Sequence, residues 1–181
     1  VPAAGDAGRD TKPLAQYRVT EFWDKVKKTG DTSAAGHLSA CGIDELSLTV
    51  KDDARARQPL AALLGKIDLQ INGERVGVSK VKNVVVAVFK VPDMDYLKEK
   101  VEGIITGYRD RYAELIRTMT EDQIEDMALD NVIDAINEAP MVEKTLEIEC
   151  EWNKNVEQWV MTSNPLDSLG LDKVIKEFQA L

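Results

Sequence analysis

Leu146, Ile148, Cys150 and Trp152 alternate with Thr145, Glu147, Glu149 and Glu151. This is the period-2 pattern of a strand with one dry face and one wet face. Asn153-Lys154-Asn155 supplies a turn, because Asn tolerates positive φ and bonds its own backbone. Trp159 and Met161 return the chain at the same period, so Val142 to Ser163 reads as a β-hairpin whose dry side needs cover. An earlier β region has Ile67, Leu69 and Ile71 alternating with Asp68 and Gln70. Asn72-Gly73 predicts a type I′ hairpin turn there, since both central positions of that turn need positive φ, and Val76 and Val78 follow in period 2. Val84 to Val91 is almost continuously apolar, as in a strand covered on both faces or at the centre of a sheet, and Pro92 stops it. Leu46, Leu48 and Val50 also alternate, over a piece too short to decide.

Between these strands the period changes to that of helices. Pro13 can open a first turn, Leu14, Tyr17, Val19, Phe22, Trp23 and Val26 share one face, and Gly30 ends the run. Thr32 or Ser33 can cap a short helix. Asp53 to Leu64 reads as a helix burying Leu60, Leu63 and Leu64, with a break or a start near Gln58 because Pro59 falls inside it. Asp93 or Asp95 caps a long helix in which Leu97, Val101, Ile104, Ile105, Tyr108, Tyr112, Leu115, Ile116 and Met119 keep steps of three and four. Gly103 and Gly107 interrupt it, each at ~1 kcal/mol relative to Ala, which predicts a close backbone approach. Thr120 with Gln123 forms a capping box for a second helix to about Glu138, with Ile124, Met127, Val132, Ala135 and Ile136 inward. Asn164-Pro165 starts a last helical face of Leu166, Leu169, Val174, Ile175 and Phe178, divided at Gly170, with Asp172 near the second start.

The chain has 181 residues, which suits one domain, and 44% of them are hydrophobic. No apolar run approaches the ~20 residues that span a bilayer. With 32 acidic and 23 basic side chains the net charge is −9, a balance that argues against a nucleic-acid partner. Residues 1–12 are rich in Ala, Gly and Asp without an apolar period and read as a flexible tether to a single α+β domain over 13–181. The chain starts at Val1 without an initiator Met, so the reading expects either a signal peptide upstream or a cut end.

Candidate chemistry is sparse, and the reading assigns no catalytic, cofactor-binding or metal-binding residue. Cys41 and Cys150 are too few and too far apart for a metal site. A disulfide between them would contribute ~4–5 kcal/mol outside the cytoplasm, but free thiols are the favoured reading. His37 is the only histidine and has no partner at triad or metal spacing. Asp68 falls on the wet side of its strand. Asp122, Asp126, Asp130, Asp134 and Glu138 repeat at i, i+4 and repel by ~0.2–0.5 kcal/mol per pair. A hydrated face neutralised by basic residues of the preceding helix is favoured over a cation site, because a straight helix lacks a calcium loop.

Helices segregated from antiparallel strands make an α+β domain, a sheet covered by helices with a long helix pair. Val88-Phe89-Lys90-Val91-Pro92-Asp93, Ala139-Pro140-Met141-Val142-Glu143-Lys144 and Gln158-Trp159-Val160-Met161-Thr162-Ser163-Asn164-Pro165 resemble small secreted or lipid-anchored proteins of Gram-positive gut bacteria. The resemblance covers roughly residues 13 to 181. It implies a cystatin-like, or nuclear-transport-factor-2-like, cone with a curved sheet, an extracytoplasmic location, and a lipid-bearing Cys upstream of the tether. It implies no established activity.

Three functions follow from this reading. The first is a non-catalytic binding module at the cell surface, with a small apolar ligand or a cell-surface protein as partner and Trp23, Tyr108, Trp152 and Trp159 as candidate wall residues of the cone. The second is an isomerase or dehydratase in such a cone, for which Asp68, His37 and the tyrosines are the available polar groups. The third is a regulatory or structural ectodomain of a larger membrane-anchored protein.

Overall fold

A computed structural model describes residues 12–29, 54–77, 81–162 and 165–178. Residues 1–11 of the expected tether lie outside them, as do Gly30, Thr32, Ser33, His37, Cys41, the Leu46–Val50 alternation, Val78 and Asn164. The elements are helices α1 (Gln16–Thr29) and α2 (Ala54–Gly65), strands β1 (Asp68–Val76) and β2 (Lys82–Pro92), helices α3 (Met94–Leu115) and α4 (Glu121–Glu138), strands β3 (Met141–Asn153) and β4 (Gln158–Met161), and helices α5 (Pro165–Ser168) and α6 (Leu171–Phe178). The strands form one antiparallel sheet in the order β1-β2-β3-β4. The fold is therefore α+β, with strands and helices segregated as expected.

β2 is the best-paired strand, bonded to β1 on one side and along its whole length to β3 on the other. Its odd positions Val85, Ala87, Phe89 and Val91 are buried under the helices, while Val84, Val86 and Val88 are half-buried on the opposite face. The sheet thus has one roofed face and one open face. Full burial of a Val or Phe side chain stabilises by about 1.5–3 kcal/mol, so this row anchors the core. Leu97 and Val101 of α3, Val132 and Ile136 of α4, Leu63 and Leu64 of α2, and Val174 and Phe178 of α6 complete it.

The hairpin of β3 and β4 forms where the alternation placed it, with Trp152 opposite Trp159. Its first strand, β3, is one of the two inner strands of the sheet, and β4 is an edge strand. Asn153 Oδ1 accepts from Asn155 N at 2.9 Å, and the positive φ of the turn falls at Glu157. The capping box of α4 is complete, and Asp93 caps α3 by accepting from Asp95 N and Tyr96 N. Gly170, with φ of 78°, divides the last helical face as expected.

Several expectations are corrected. Asn72-Gly73 makes no hairpin turn: β1 runs through it, and the register slips between Ile71 and Glu74 as a β-bulge with Gly73 at φ 117°. The chain reverses later, where Gly77 N donates to Lys82 O at 2.7 Å; a Cβ on Gly77 would lie 2.2 Å from that oxygen. The helix of Pro59 starts at Ala54 and continues through the proline, because burial of Leu60, Leu63 and Leu64 offsets one forfeited backbone bond. In α1 Arg18, Val19, Phe22, Trp23 and Val26 are buried, as is Ala15 just before it, leaving Leu14 and Tyr17 at 45% and 62% exposure. Gly103 and Gly107 lie on the solvent side of α3, where an added Cβ would meet nothing within 4 Å, so no close approach requires them. Met127, expected inward, is 41% exposed.

Candidate functional site

The candidate wall aromatics do not converge. Trp23 packs edge-on against Phe89 with ring centroids 5.5 Å apart, inside the core. Trp152 and Trp159 meet edge-on at 5.4 Å near the hairpin end, where Trp159 Nε1 donates to Pro13 O at 2.6 Å. Tyr108 sits half-buried on α3, its hydroxyl accepting from Asn131 Nδ2 of α4 at 2.6 Å. Asp68 is on the open face with its side chain 78% exposed, 3.9 Å from Lys27 Nζ. The Asp122–Glu138 row lies on the exposed side of α4.

A polar seam that the sequence reading missed lies under one end of the sheet. The bulge changes the parity of β1, so Glu74 stands opposite inward-facing Val85 while Arg75 stands opposite outward-facing Val84. Glu74 therefore reaches the helical side. Its carboxylate accepts from Ala15 N at 2.8 Å and Gln16 N at 2.7 Å, capping α1 from another element, and it also accepts from Asn83 Nδ2. Asn83 and Arg18 are the buried polar residues among those described. The misread Asn-Gly pair was the available signal, since Gly at positive φ serves a bulge as well as a turn.

Cys150 ends this seam as a buried free thiol. Burial first, then the charges of Glu74 and Glu149, push its pKa up to about 12, against the opposing pull of Arg18. The thiol is the inert form at neutral pH, because the thiolate is the nucleophile. The seam's carboxylate is committed to holding α1, so its chemistry is anchoring.

The open face of the sheet is the other feature that the sequence positions. Val84, Val86 and Val88 run down its centre, half-buried. On β3, Glu143, Thr145, Glu147, Glu149 and Glu151 form the adjacent column, all exposed. Arg75, opposite Val84, reaches across β2 to Glu147, Nη2 to Oε1 at 2.7 Å. Lys90 stands between Asp68 and Glu143, and Lys82 opposite Glu151, so charges frame the apolar strip. At the hairpin end, a shallow depression of about 440 Å³ opens between Trp152, Lys154 and Val160. Among the described residues no group of His, Cys, Asp and Glu has the arrangement of a metal site, and no helix is long and apolar enough to cross a membrane.

No protein-family model matches the chain. No curated protein matches it. A crystal structure of the putative lipoprotein YcdA from Bacillus subtilis aligns with 88% of this chain at a TM-score of 0.41 and 20% identity. The chain spans about half the length of that structure, 46% of it.

Proposed function

We propose that this chain is a non-catalytic interaction domain of the cell surface that works through the open side of its sheet. The observation that carries the reading is the contrast between the two faces. Beneath the sheet, Val85, Ala87, Phe89 and Val91 are at most 1% exposed and belong to one core with side chains of the described helices, so this row is already covered. Above it, a row of half-buried valines framed by charge is open to a partner. The isomerase or dehydratase alternative needs a dry pocket with a polar pair, and among the described residues Asp68 lies exposed on the open face instead.

The extracytoplasmic location, the lipid anchor and the cystatin-like or nuclear-transport-factor-2-like cone belong to the same proposal. Their support is the resemblance of the three segments quoted above together with the α+β order of elements. The test uses the full-length protein on intact cells, with a photo-crosslinking amino acid at Val86 and, as control, at Lys176, which is exposed on α6. The expected result is a defined adduct from Val86 alone, formed outside the cytoplasm and reproduced with the purified partner. Equal labelling from both positions, or adducts only to cytoplasmic proteins, sinks the proposal.

A further inference from the structure

The edge of β3 carries a more specific inference, which rests on the reading of a surface-acting domain. Trp152 N donates to Val81 O at 2.7 Å, and Thr162 N donates to Glu149 O at 3.0 Å. These two bonds fix the ladder: even positions of β3 bond β2, and odd positions bond the β4 side. β4 covers β3 from Cys150 to Asn153, and Thr162 covers Glu149. Among the described residues, no strand or loop pairs with the backbone of Glu143, Thr145 and Glu147 on that side. Among the described residues their N–H and C=O groups form a short open sheet edge. All three side chains are exposed on the open face, while Val142, Lys144 and Leu146 are half-buried on the roofed face beside them.

We infer that this edge takes up an extended segment of another protein as an added strand, one that alternates basic with apolar residues. The backbone groups provide the bonds, and alternate side chains provide the selection. Residues of an added strand opposite Glu143 and Glu147 lie on the open face and meet the Glu143 carboxylate and the outer side of the Glu147–Arg75 pair, so lysine or arginine fits there. Residues opposite Lys144 and Leu146 lie on the roofed face, against Leu146 and the half-buried stem of Lys144, so apolar side chains fit there. A second copy of this chain fits poorly. Full antiparallel overlap about Thr145 sets Glu143 opposite Glu147 twice, and like charges directly opposite destabilise a pair.

The probe is a synthetic six-residue peptide alternating valine and lysine, compared with its valine and glutamate counterpart. Binding is read by fluorescence anisotropy, and its place by amide hydrogen exchange on the folded protein. The lysine peptide is expected to bind and to slow exchange at Glu143, Thr145 and Glu147, and the glutamate peptide to do neither. Thr145→Pro removes only an N–H that faces the open edge, so β2–β3 pairing survives, and affinity should fall by about tenfold or more. The double variant Glu143→Lys/Glu147→Lys should bind the glutamate peptide in preference to the lysine one, a gain that misfolding cannot imitate. Equal binding of both peptides, protection elsewhere on the protein, or a dimer in sedimentation that closes the edge overturns the inference. The surface reading itself fails separately, by the Val86 crosslinking result.

Discussion

Replacing Glu74 by alanine tests whether the bulge in β1 exists in order to aim this side chain. The carboxylate accepts three bonds, from Ala15 N, Gln16 N and Asn83 Nδ2. Losing the cap on α1 costs about 1 kcal/mol. Leaving the amide of Asn83, 4% exposed, without its acceptor adds about 1–3 kcal/mol. Glu74 is only half-buried, so water recovers part of the loss, and about 3 kcal/mol in total is expected. For a chain of this size that corresponds to a fall in Tm of about 6–12 °C. The assay is urea unfolding followed by tryptophan fluorescence, with a lowered midpoint at unchanged slope as the signature. Glu74→Gln keeps the volume but turns one acceptor into a donor, so it should lose roughly half as much. Asn83→Ala should cost less in the Glu74→Ala background than alone, with a coupling of about 1 kcal/mol. The control is Glu147→Ala, whose ion pair with Arg75 is well exposed and should be worth at most about 0.5–1 kcal/mol. If Glu74→Ala costs no more than Glu147→Ala, the seam does not hold α1 and the account of the bulge is wrong.

Gly73→Ala should destabilise by about 1–3 kcal/mol from backbone strain alone, because its φ is 117° although no atom lies within 4 Å of an added Cβ; the same unfolding curve reads it. Burial first, then the hydrogen bond that protonated Glu177 donates to the Glu102 carboxylate and the charge of Glu102, hold the Glu177 carboxyl above its ordinary value of 4.5, with Lys98 opposing. The folded state therefore favours the protonated form: the contribution is fully present below pH 4.5 and is lost as pH rises through the raised folded value. Glu177→Gln should accordingly raise Tm at about pH 7 and leave it unchanged at about pH 3, and a variant that is destabilised at the higher pH refutes this. In a Cys41→Ser background, Cys150 should resist a thiol-specific reagent at about pH 8, where its thiolate fraction is roughly one part in ten thousand, and should react fully on unfolding. Fast labelling of the native protein would contradict the burial that raises its pKa.

The elements that the sequence made legible are those in which one period dominates. The hairpin, β2, the capping box of α4 and the division at Gly170 all follow from local pattern, and each forms where the residues place it. The misreadings share a cause, since each needed tertiary information. Asn72-Gly73 permits a turn or a bulge with equal local ease, and the choice is made by pairing with Val85 and by the bonds from Glu74 to α1. Pro59 breaks an isolated helix but not one whose leucines are buried. The buried face of α1 is rotated away from Leu14 and Tyr17, because the helix is fixed at its start by Glu74 and by the bond from Trp159 to Pro13, residues 59 and 146 positions away from their partners. The candidate wall aromatics were legible one by one, and only the packing shows that Trp23 meets Phe89, Trp152 meets Trp159, and Tyr108 is held apart by Asn131.

The open edge itself has a physical origin in unequal strand lengths. β3 has 13 residues and β4 has four. Extending β4 along β3 would satisfy Glu147, Thr145 and Glu143, but the chain after Met161 is needed elsewhere. Pro165 has no N–H to give a ladder, and Leu166, Leu169 and Leu171 are fully buried under the sheet. Those side chains gain more in the core, about 1.5–3 kcal/mol each, than a few edge hydrogen bonds would supply at about 1 kcal/mol each. At the far end the same economy of chain inserts α3 and α4 between β2 and β3, with Asp93 N bonded to Pro140 O at 2.7 Å closing their base. The core is completed at the expense of the sheet's border, and exposed glutamates on the uncovered stretch, where like charges oppose self-pairing, are what such a border requires.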